Sequence, residues 1–237
     1  MEANTFWKDF SDVDVDHFRS DPRVRKIPLY ETNVYKEYQD KFAETLGSSR
    51  NTCKWRASVT PHNGSHSSEE SYNNTLVDVN GFITTAYHIR SNYFYSLYEY
   101  TTGKPINSYD HIFEIGGGVG DFSKFVIDNG FKGTYTIIDL PEVMKVSKHN
   151  LQGYRVEFIT DTPGVIPPNS LLVSTWALSE IPIDNRNVHP CVFDGCLITF
   201  QREIFGADNG PYFEYWKGYR MPIPWIPWDG GTTFLAN

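Results

Sequence analysis

The sequence predicts an α/β protein built on a doubly wound, mostly parallel sheet. Two observations carry this. Residues 111–139, HIFEIGGGVGDFSKFVIDNGFKGTYTIID, read as strand, glycine loop, helix and strand. From there to residue 236, short apolar runs keep alternating with helical or turn-rich stretches, the pattern of successive βα units. In the opening unit, Ile112, Phe113 and Ile115 suit a buried parallel strand. Gly116, Gly117, Gly118 and Gly120 make a tight turn where backbone can approach a ligand. Phe122, Phe125 and Val126 recur at helical spacing, and Gly130 stands where a helix C-cap glycine belongs. Residues 135–138 form a second strand, ended by Asp139. Folds of this kind bind ligands, often through a ribose, in the crevice outside the carboxyl ends of the strands.

The glycine pattern narrows the ligand. A dinucleotide fingerprint wants G-x-G-x-x-G, with pyrophosphate on the helix N-terminus. Counted from Gly116, the last glycine position holds Asp121, whose carboxylate would repel a pyrophosphate. That disfavours a nicotinamide dehydrogenase. The chain matches E-x-G-x-G-x-G instead, at Glu114, Gly116, Gly118 and Gly120. This resembles motif I of the class I S-adenosylmethionine (SAM)-dependent methyltransferases. The resemblance implies a Rossmann-like class I methyltransferase fold: seven strands, mostly parallel, the last antiparallel. It implies SAM as cofactor, released as S-adenosylhomocysteine. SAM carries an ammonium and a sulfonium and no phosphate, so acids around the loop suit it. Asp139, about 20 residues beyond the loop, sits where an acid accepts hydrogen bonds from both ribose hydroxyls. The resemblance sets the cofactor against Glu114, Gly116, Gly118, Gly120, Asp121, Phe122, Asp139, Leu140, Asp161, Thr162, Thr175 and Trp176. Asp161 follows the third strand, where an acid often contacts the adenine amino group. An ordinary turn aspartate fits the same position.

Residues 1–29 show little pattern. Residues 31–46 read as a helix, with Val34, Tyr38, Phe42 and Leu46 spaced by four and Gly47 as the stop. Residues 47–74 are rich in Ser, Asn and Gly and read as a loop, in which His62 and His66 are solvated and not metal ligands. Residues 76–100 read as helical, with an interruption near Asn80-Gly81 and a broad stripe from Phe82 through Tyr93 to Leu97. Residues 1–105 are therefore expected to form a helical N-terminal cap on the acceptor side, and 106–237 the SAM-binding domain. Beyond Asp139, Pro141 opens a helix running to about Leu151. Strands are expected at 155–160, 171–175 and 197–200, and an antiparallel edge pair at 221–228 and 232–236.

The runs IDLPEV at 138–143, STWALSEIP at 174–182 and QREIFGADN at 201–209 resemble one subgroup, the sugar O-methyltransferases. The likeness covers roughly 110–237. It implies methyl transfer to a sugar hydroxyl in a glycan or an activated sugar, and a place in a larger glycan-synthesis protein or complex. Another small hydroxylated metabolite as acceptor, or an inactive SAM-fold scaffold, are the alternatives. A sugar hydroxyl is a poor nucleophile, so a positioned base helps by roughly 10²–10⁴-fold. Glu180, beyond the fourth strand, is the first candidate for the base, against a helix-start carboxylate bonded to backbone. His149 and His189 are weaker candidates. Trp176 is expected to stack on adenine or wall the pocket, with a second role toward the acceptor. Arg202 is expected to hydrogen-bond acceptor hydroxyls, against a salt bridge to Glu203 or Asp208. Tyr212, Tyr215, Trp216, Trp225 and Trp228 offer rings for stacking on a sugar.

Composition removes other classes. A net charge of -8 argues against a phosphate-tracking nucleic-acid surface. No run of about 18 apolar residues exists to span a membrane. The opening residues, MEANTFWKDF, do not read as a signal peptide, so a cytoplasmic location is expected. Cys53, Cys191 and Cys196 have neither disulfide nor zinc spacing. Asp184-Asn185 and Asp208-Asn209 lack decisive metal-ligand spacing, so no metal is expected.

Overall fold

The computed structural model describes residues 76–79, 82–223 and 231–237, with side chains from Arg90 onward. Its strands are β1 (Leu76–Val79), β2 (Phe82–Thr85), β3 (His111–Ile115), β4 (Thr134–Ile138), β5 (Val156–Ile159), β6 (Ser170–Thr175), β7 (Gly195–Gln201), β8 (Glu203–Ile204), β9 (Ala207–Asp208), β10 (Tyr219–Ile223) and β11 (Thr232–Ala236). Its α-helices are α1 (Ala86–Thr102), α2 (Asp121–Asp128), α3 (Pro141–Asn150), α4 (Ala177–Glu180) and α5 (Gly210–Glu214). Seven strands form one sheet in the order β10-β11-β7-β6-β3-β4-β5. β3 through β7 pair in parallel, and β11 is antiparallel to both β7 and β10. This is the strand order of the Rossmann-like class I methyltransferase fold, with the expected reversed last strand.

Alternation of side chains along the strands builds two cores. Ile112, Ile137, Leu171, Val173, Leu197 and Phe234 face one layer, under the rings of α1 and under Phe122, Phe125 and Val126 of α2. Their neighbours Phe113, Ile138, Leu172, Ile198 and Leu235 face the other, with Leu178 of α4 and Phe213 of α5. A parallel sheet covered on both faces requires this doubly apolar strand pattern. α1 adds Tyr93, Phe94, Tyr95, Leu97 and Tyr98 to the first core, all 2% exposed or less. The Tyr98 hydroxyl donates to the Asn237 carbonyl at 3.0 Å, which ties α1 to the end of the chain.

The helix α2 ends as its sequence indicates. Gly130 has φ +100°, its N–H donates to the Ile127 carbonyl, and the Phe131 N–H reaches back to Val126. Those are the two bonds of a Schellman cap.

One expectation is corrected. The stretch at 76–100 is helical only from Ala86, because Leu76–Val79 and Phe82–Thr85 pair as an antiparallel hairpin. Val77, Val79, Ile83, Thr84 and Thr85 are β-branched and suit strands, and Asn-Gly is a sequence pair that favours a two-residue hairpin connection. Those local preferences outweigh the helical spacing of Phe82, Ile83 and Ala86. The edge strand expected over 221–228 is found at Tyr219–Ile223. The expected 31–46 helix, His62, His66, Cys53, Trp225 and Trp228 lie outside the described residues.

Two glycines of the β3–α2 loop separate backbone freedom from space. Gly116 has φ +74°, and a Cβ there would fall 2.0 Å from the Ala177 Cβ. Gly118 has φ +55° but open space around it. A left-handed residue costs about 1–2 kcal/mol, and overpacking a further ~1–3 kcal/mol. Gly116→Ala should therefore cost about 3 kcal/mol in chemical denaturation, and Gly118→Ala about 1 kcal/mol. Equal losses would show that the approach of α4 to the loop is not the constraint.

Candidate functional site

The chain runs outward along β3, β4 and β5, then returns across β3 to lay down β6 and β7. The reversal opens a crevice at the carboxyl ends of β3 and β6. Three segments border it: the glycine loop after β3, Asp139 after β4, and residues 176–180 after β6.

Asp139 joins two of them. Its Oδ2 accepts from the Gly118 N–H at 2.9 Å and its Oδ1 from the Leu140 N–H at 2.8 Å. Each carboxylate oxygen keeps a further lone pair, so the group can still accept from two hydroxyls. Burial raises its pKa to about 6; the two amide donors pull it down and the Glu180 charge pushes it up. Glu114, one strand away on β3, is 1% exposed. Burial raises its pKa to about 7. The Tyr135 hydroxyl donates to it at 2.9 Å and works against that rise, as does the charge of Arg90, while Asp139 and Asp121 add to it.

The loop is set from behind. Gly120 has φ +86° and lies so close to α3's end that a Cβ would meet Leu151 at 2.7 Å. Asn150 donates to the Val119 carbonyl at 3.0 Å. Asp121 opens α2, and Phe122 turns into the core. The open space at Gly118 leaves the loop backbone accessible on that side.

After β6, Trp176 adopts φ +73°, a conformation costing a non-glycine residue of order 1–3 kcal/mol. Its N–H donates to the Thr199 carbonyl at 2.8 Å, and its carbonyl takes the Ser179 N–H and hydroxyl. The indole is 6% exposed; it donates to the Thr232 hydroxyl and meets Phe94 edge-on at 5.6 Å. The Arg90 guanidinium lies 5.2 Å from its ring centre. Glu180 ends α4, partly exposed and near enough to Asp139 to act on its charge.

The structure thus brings together Glu114, Gly116, Gly118, Gly120, Asp121, Asp139, Leu140, Thr175, Trp176 and Glu180. Asp161 and Thr162 follow β5; Asp161 is exposed and accepts from the Thr160 hydroxyl at 3.0 Å. Arg202 is two-thirds exposed and pairs with Asp208 at 4.0 Å. His189 is exposed, and His149 lies on α3. Trp216 is buried against Tyr212 and Phe213, whereas Tyr215 is exposed. Among the described residues, no group of three His, Cys, Asp or Glu side chains is placed to hold a metal ion. Among the same residues, no helix is long and apolar enough to cross a membrane.

Sequence reasoning missed Arg90. Its signal was faint: Arg90 and Glu99 are the charged residues of α1 beside His88, in an otherwise aromatic-rich helix. Four carboxylates and one guanidinium around a glycine loop suit a ligand that carries positive charge and hydroxyls, and oppose a phosphate.

No family model matches the chain, and no curated protein matches it. Solved structures resemble it in fold. One is the magnesium protoporphyrin IX methyltransferase of Synechocystis PCC 6803 with bound SAM, at 10% identity and TM-score 0.46, over 62% of this chain and 78% of that one. Another is M. capricolum TrmK with S-adenosylhomocysteine, at 13% identity and TM-score 0.44, over 62% and 66%. A third is a SAM-dependent methyltransferase from Aquifex aeolicus, at 14% identity and TM-score 0.37, over 53% and 80%.

The raised carboxylates set a pH dependence. Glu114 and Asp139 hold protons more tightly in the folded chain, about 7 and 6, than their ordinary values of 4.5 and 3.8. The stability this contributes is full below about pH 4 and is lost as pH rises through 6 and 7. Thermal unfolding midpoints should fall between pH 5 and pH 8, and Glu114→Gln should flatten that fall. An equal slope in both proteins would mean that Glu114 is ionised throughout.

Proposed function

We propose that the crevice binds SAM and that the protein is a SAM-dependent O-methyltransferase acting on a sugar hydroxyl, in a glycan or an activated sugar. The observation that carries the reading is Asp139: a buried carboxylate with spare lone pairs, tied to an open glycine loop. Its position suits the two hydroxyls of a ribose. Glu114, Asp121 and Glu180 supply negative charge for an ammonium and a sulfonium. Gly116, Gly120, Leu140 and Thr175 shape the walls, and Trp176 closes the end between β6 and Phe94; Phe122, expected at the cofactor, packs in the core behind the loop instead. Asp161 and Thr162 are assigned to the adenine end.

Bound SAM supplies an electrophilic methyl group. The chain's own residues then align the acceptor and exclude water, and proximity of this kind is worth up to about 7–11 kcal/mol in favourable cases. Glu180 Oε is placed to take the proton of an acceptor hydroxyl, whose oxygen would gain the methyl group as the S–CH3 bond breaks and the sulfonium becomes the neutral thioether of S-adenosylhomocysteine. Arg202 is assigned to the acceptor. Its exposed pairing with Asp208 is of a type worth about 0–1 kcal/mol, so an acceptor hydroxyl can replace it at small cost. Residues 106–237 are assigned to the cofactor domain, and the part of α1 that reaches the crevice to the acceptor side. Arg90 and Phe94 against Trp176 support that placement. The sugar itself rests on the likeness of the runs at 138–143, 174–182 and 201–209.

The test is incubation with methyl-labelled SAM and a panel of monosaccharides, nucleotide sugars and oligosaccharides, read by mass. One or more of these should gain a methyl group. Glu180→Gln should lower turnover by about 10²–10⁴-fold while S-adenosylhomocysteine still binds. Methylation confined to non-sugar hydroxyls would overturn the acceptor, and near-normal turnover of Glu180→Gln would overturn the base.

A further inference from the structure

Beneath the Glu180 turn lies a buried cation that the chemistry above does not use. Arg186 is 7% exposed. Its Nε donates to the Ile181 carbonyl at 2.7 Å, and its Nη2 to the Ser179 carbonyl at 3.0 Å and to Asn209 Oδ1. The two carbonyls belong to the residues on either side of Glu180. The side chains of Ser179 and Ile181 are buried, and that of Glu180 is partly exposed. Both grips fall on the backbone of the turn that carries Glu180.

The clamp extends to three strand ends. Asn209, fully buried after β9, donates through Nδ2 to the Ser179 carbonyl at 3.3 Å and to the Gln201 carbonyl of β7 at 2.8 Å. The Ser179 hydroxyl donates to the Trp176 carbonyl after β6 at 2.6 Å and accepts from the Gln201 N–H at 3.4 Å. Tyr212 and Phe213 cover the guanidinium, 4.7 and 5.9 Å from their ring centres.

Stability alone does not account for this arginine. No carboxylate among the described residues pairs with it, and its Nη1 is buried without a hydrogen-bond partner. Burial holds its pKa down to about 10. A buried guanidinium without a counter-ion is costly, and apolar replacements of buried charge are often neutral or stabilising. What an apolar side chain lacks is a rigid planar fork able to grip several acceptors at once.

We propose that Arg186 is a positioning residue for Glu180, its guanidinium gripping the 178–182 turn so that the Glu180 carboxylate stands beside Asp139 in the crevice. This rests on the reading of the crevice as a SAM site.

The test is the pH profile of S-adenosylhomocysteine binding by calorimetry, for the wild type, Glu180→Gln, Arg186→Lys and the double variant. Ribose hydroxyls bind the ionised Asp139, so wild-type affinity should fall as pH drops below about 6, approaching tenfold per pH unit. Glu180→Gln removes a like charge and should move that midpoint to lower pH. Arg186→Lys keeps the positive charge and loses the fork; it should move the midpoint the same way, and add nothing in the double variant. Glu114, Asp121 and Arg90 also act on the crevice and are unchanged throughout. A wild-type profile for Arg186→Lys, or additive shifts in the double variant, would overturn the proposal. Should Arg186→Lys not fold, Asn209→Ala removes the side chain that anchors the guanidinium and itself grips the Ser179 carbonyl, with Arg186 kept. It should shift the midpoint the same way, and an unshifted midpoint would equally overturn the proposal. Failure of the wild type to bind at pH 8 would instead overturn the SAM reading.

Discussion

The Asp139 carboxylate holding the Gly118 amide is the contact on which the crevice depends. It fastens the loop after β3 to the end of β4, at the edge where the sheet reverses its order. The contact needs glycine backbone at positive φ on one side and a buried acid on the other. Neither is favourable alone: a left-handed backbone is strained for most residues, and a buried carboxylate is poorly solvated. Together they offset part of each other's cost, since the loop amides replace water around the carboxylate.

The remaining electrostatics follow from that placement. Glu114 lies on β3 and Asp139 just past the end of the adjacent β4, and Glu180 and Asp121 come in from the helices. Burial raises both acids toward neutrality; the hydrogen bonds from Tyr135, Gly118 and Leu140 work against that rise, and the neighbouring carboxylates add to it. A cationic ligand would relieve this repulsion, whereas an anionic one would add to it. The same accumulation of acid that disfavours the folded crevice would favour a ligand of positive charge. Arg90 tempers the effect from α1, a helix whose aromatic face belongs to the same core as the sheet.

Much of this was legible in the sequence because the signals were local. The loop glycines, the apolar strands and the Asp139 position fall within about 30 residues, and each has one dominant physical reading. The hairpin at Leu76–Val79 and Phe82–Thr85 was less legible, since its β-branched residues also satisfy a helical stripe. The turn pair Asn80-Gly81 was the better guide there. Arg90, Arg186 and Asn209 were not legible as site elements. Their meaning comes from contacts across 23 to 86 residues of sequence, made only when the sheet closes. Arg202 shows the converse, a residue placed near the right edge whose side chain the fold leaves in solvent beside Asp208.

The most direct measurement is calorimetric titration of S-adenosylhomocysteine at pH 8 into the wild type and Asp139→Ala, with NAD as the comparison ligand. The account predicts micromolar binding to the wild type, none of NAD, and a loss of about 100-fold in the variant, the scale of one or two hydrogen bonds to a charged group. Equal affinity in the two proteins, or binding of NAD in place of S-adenosylhomocysteine, would contradict it.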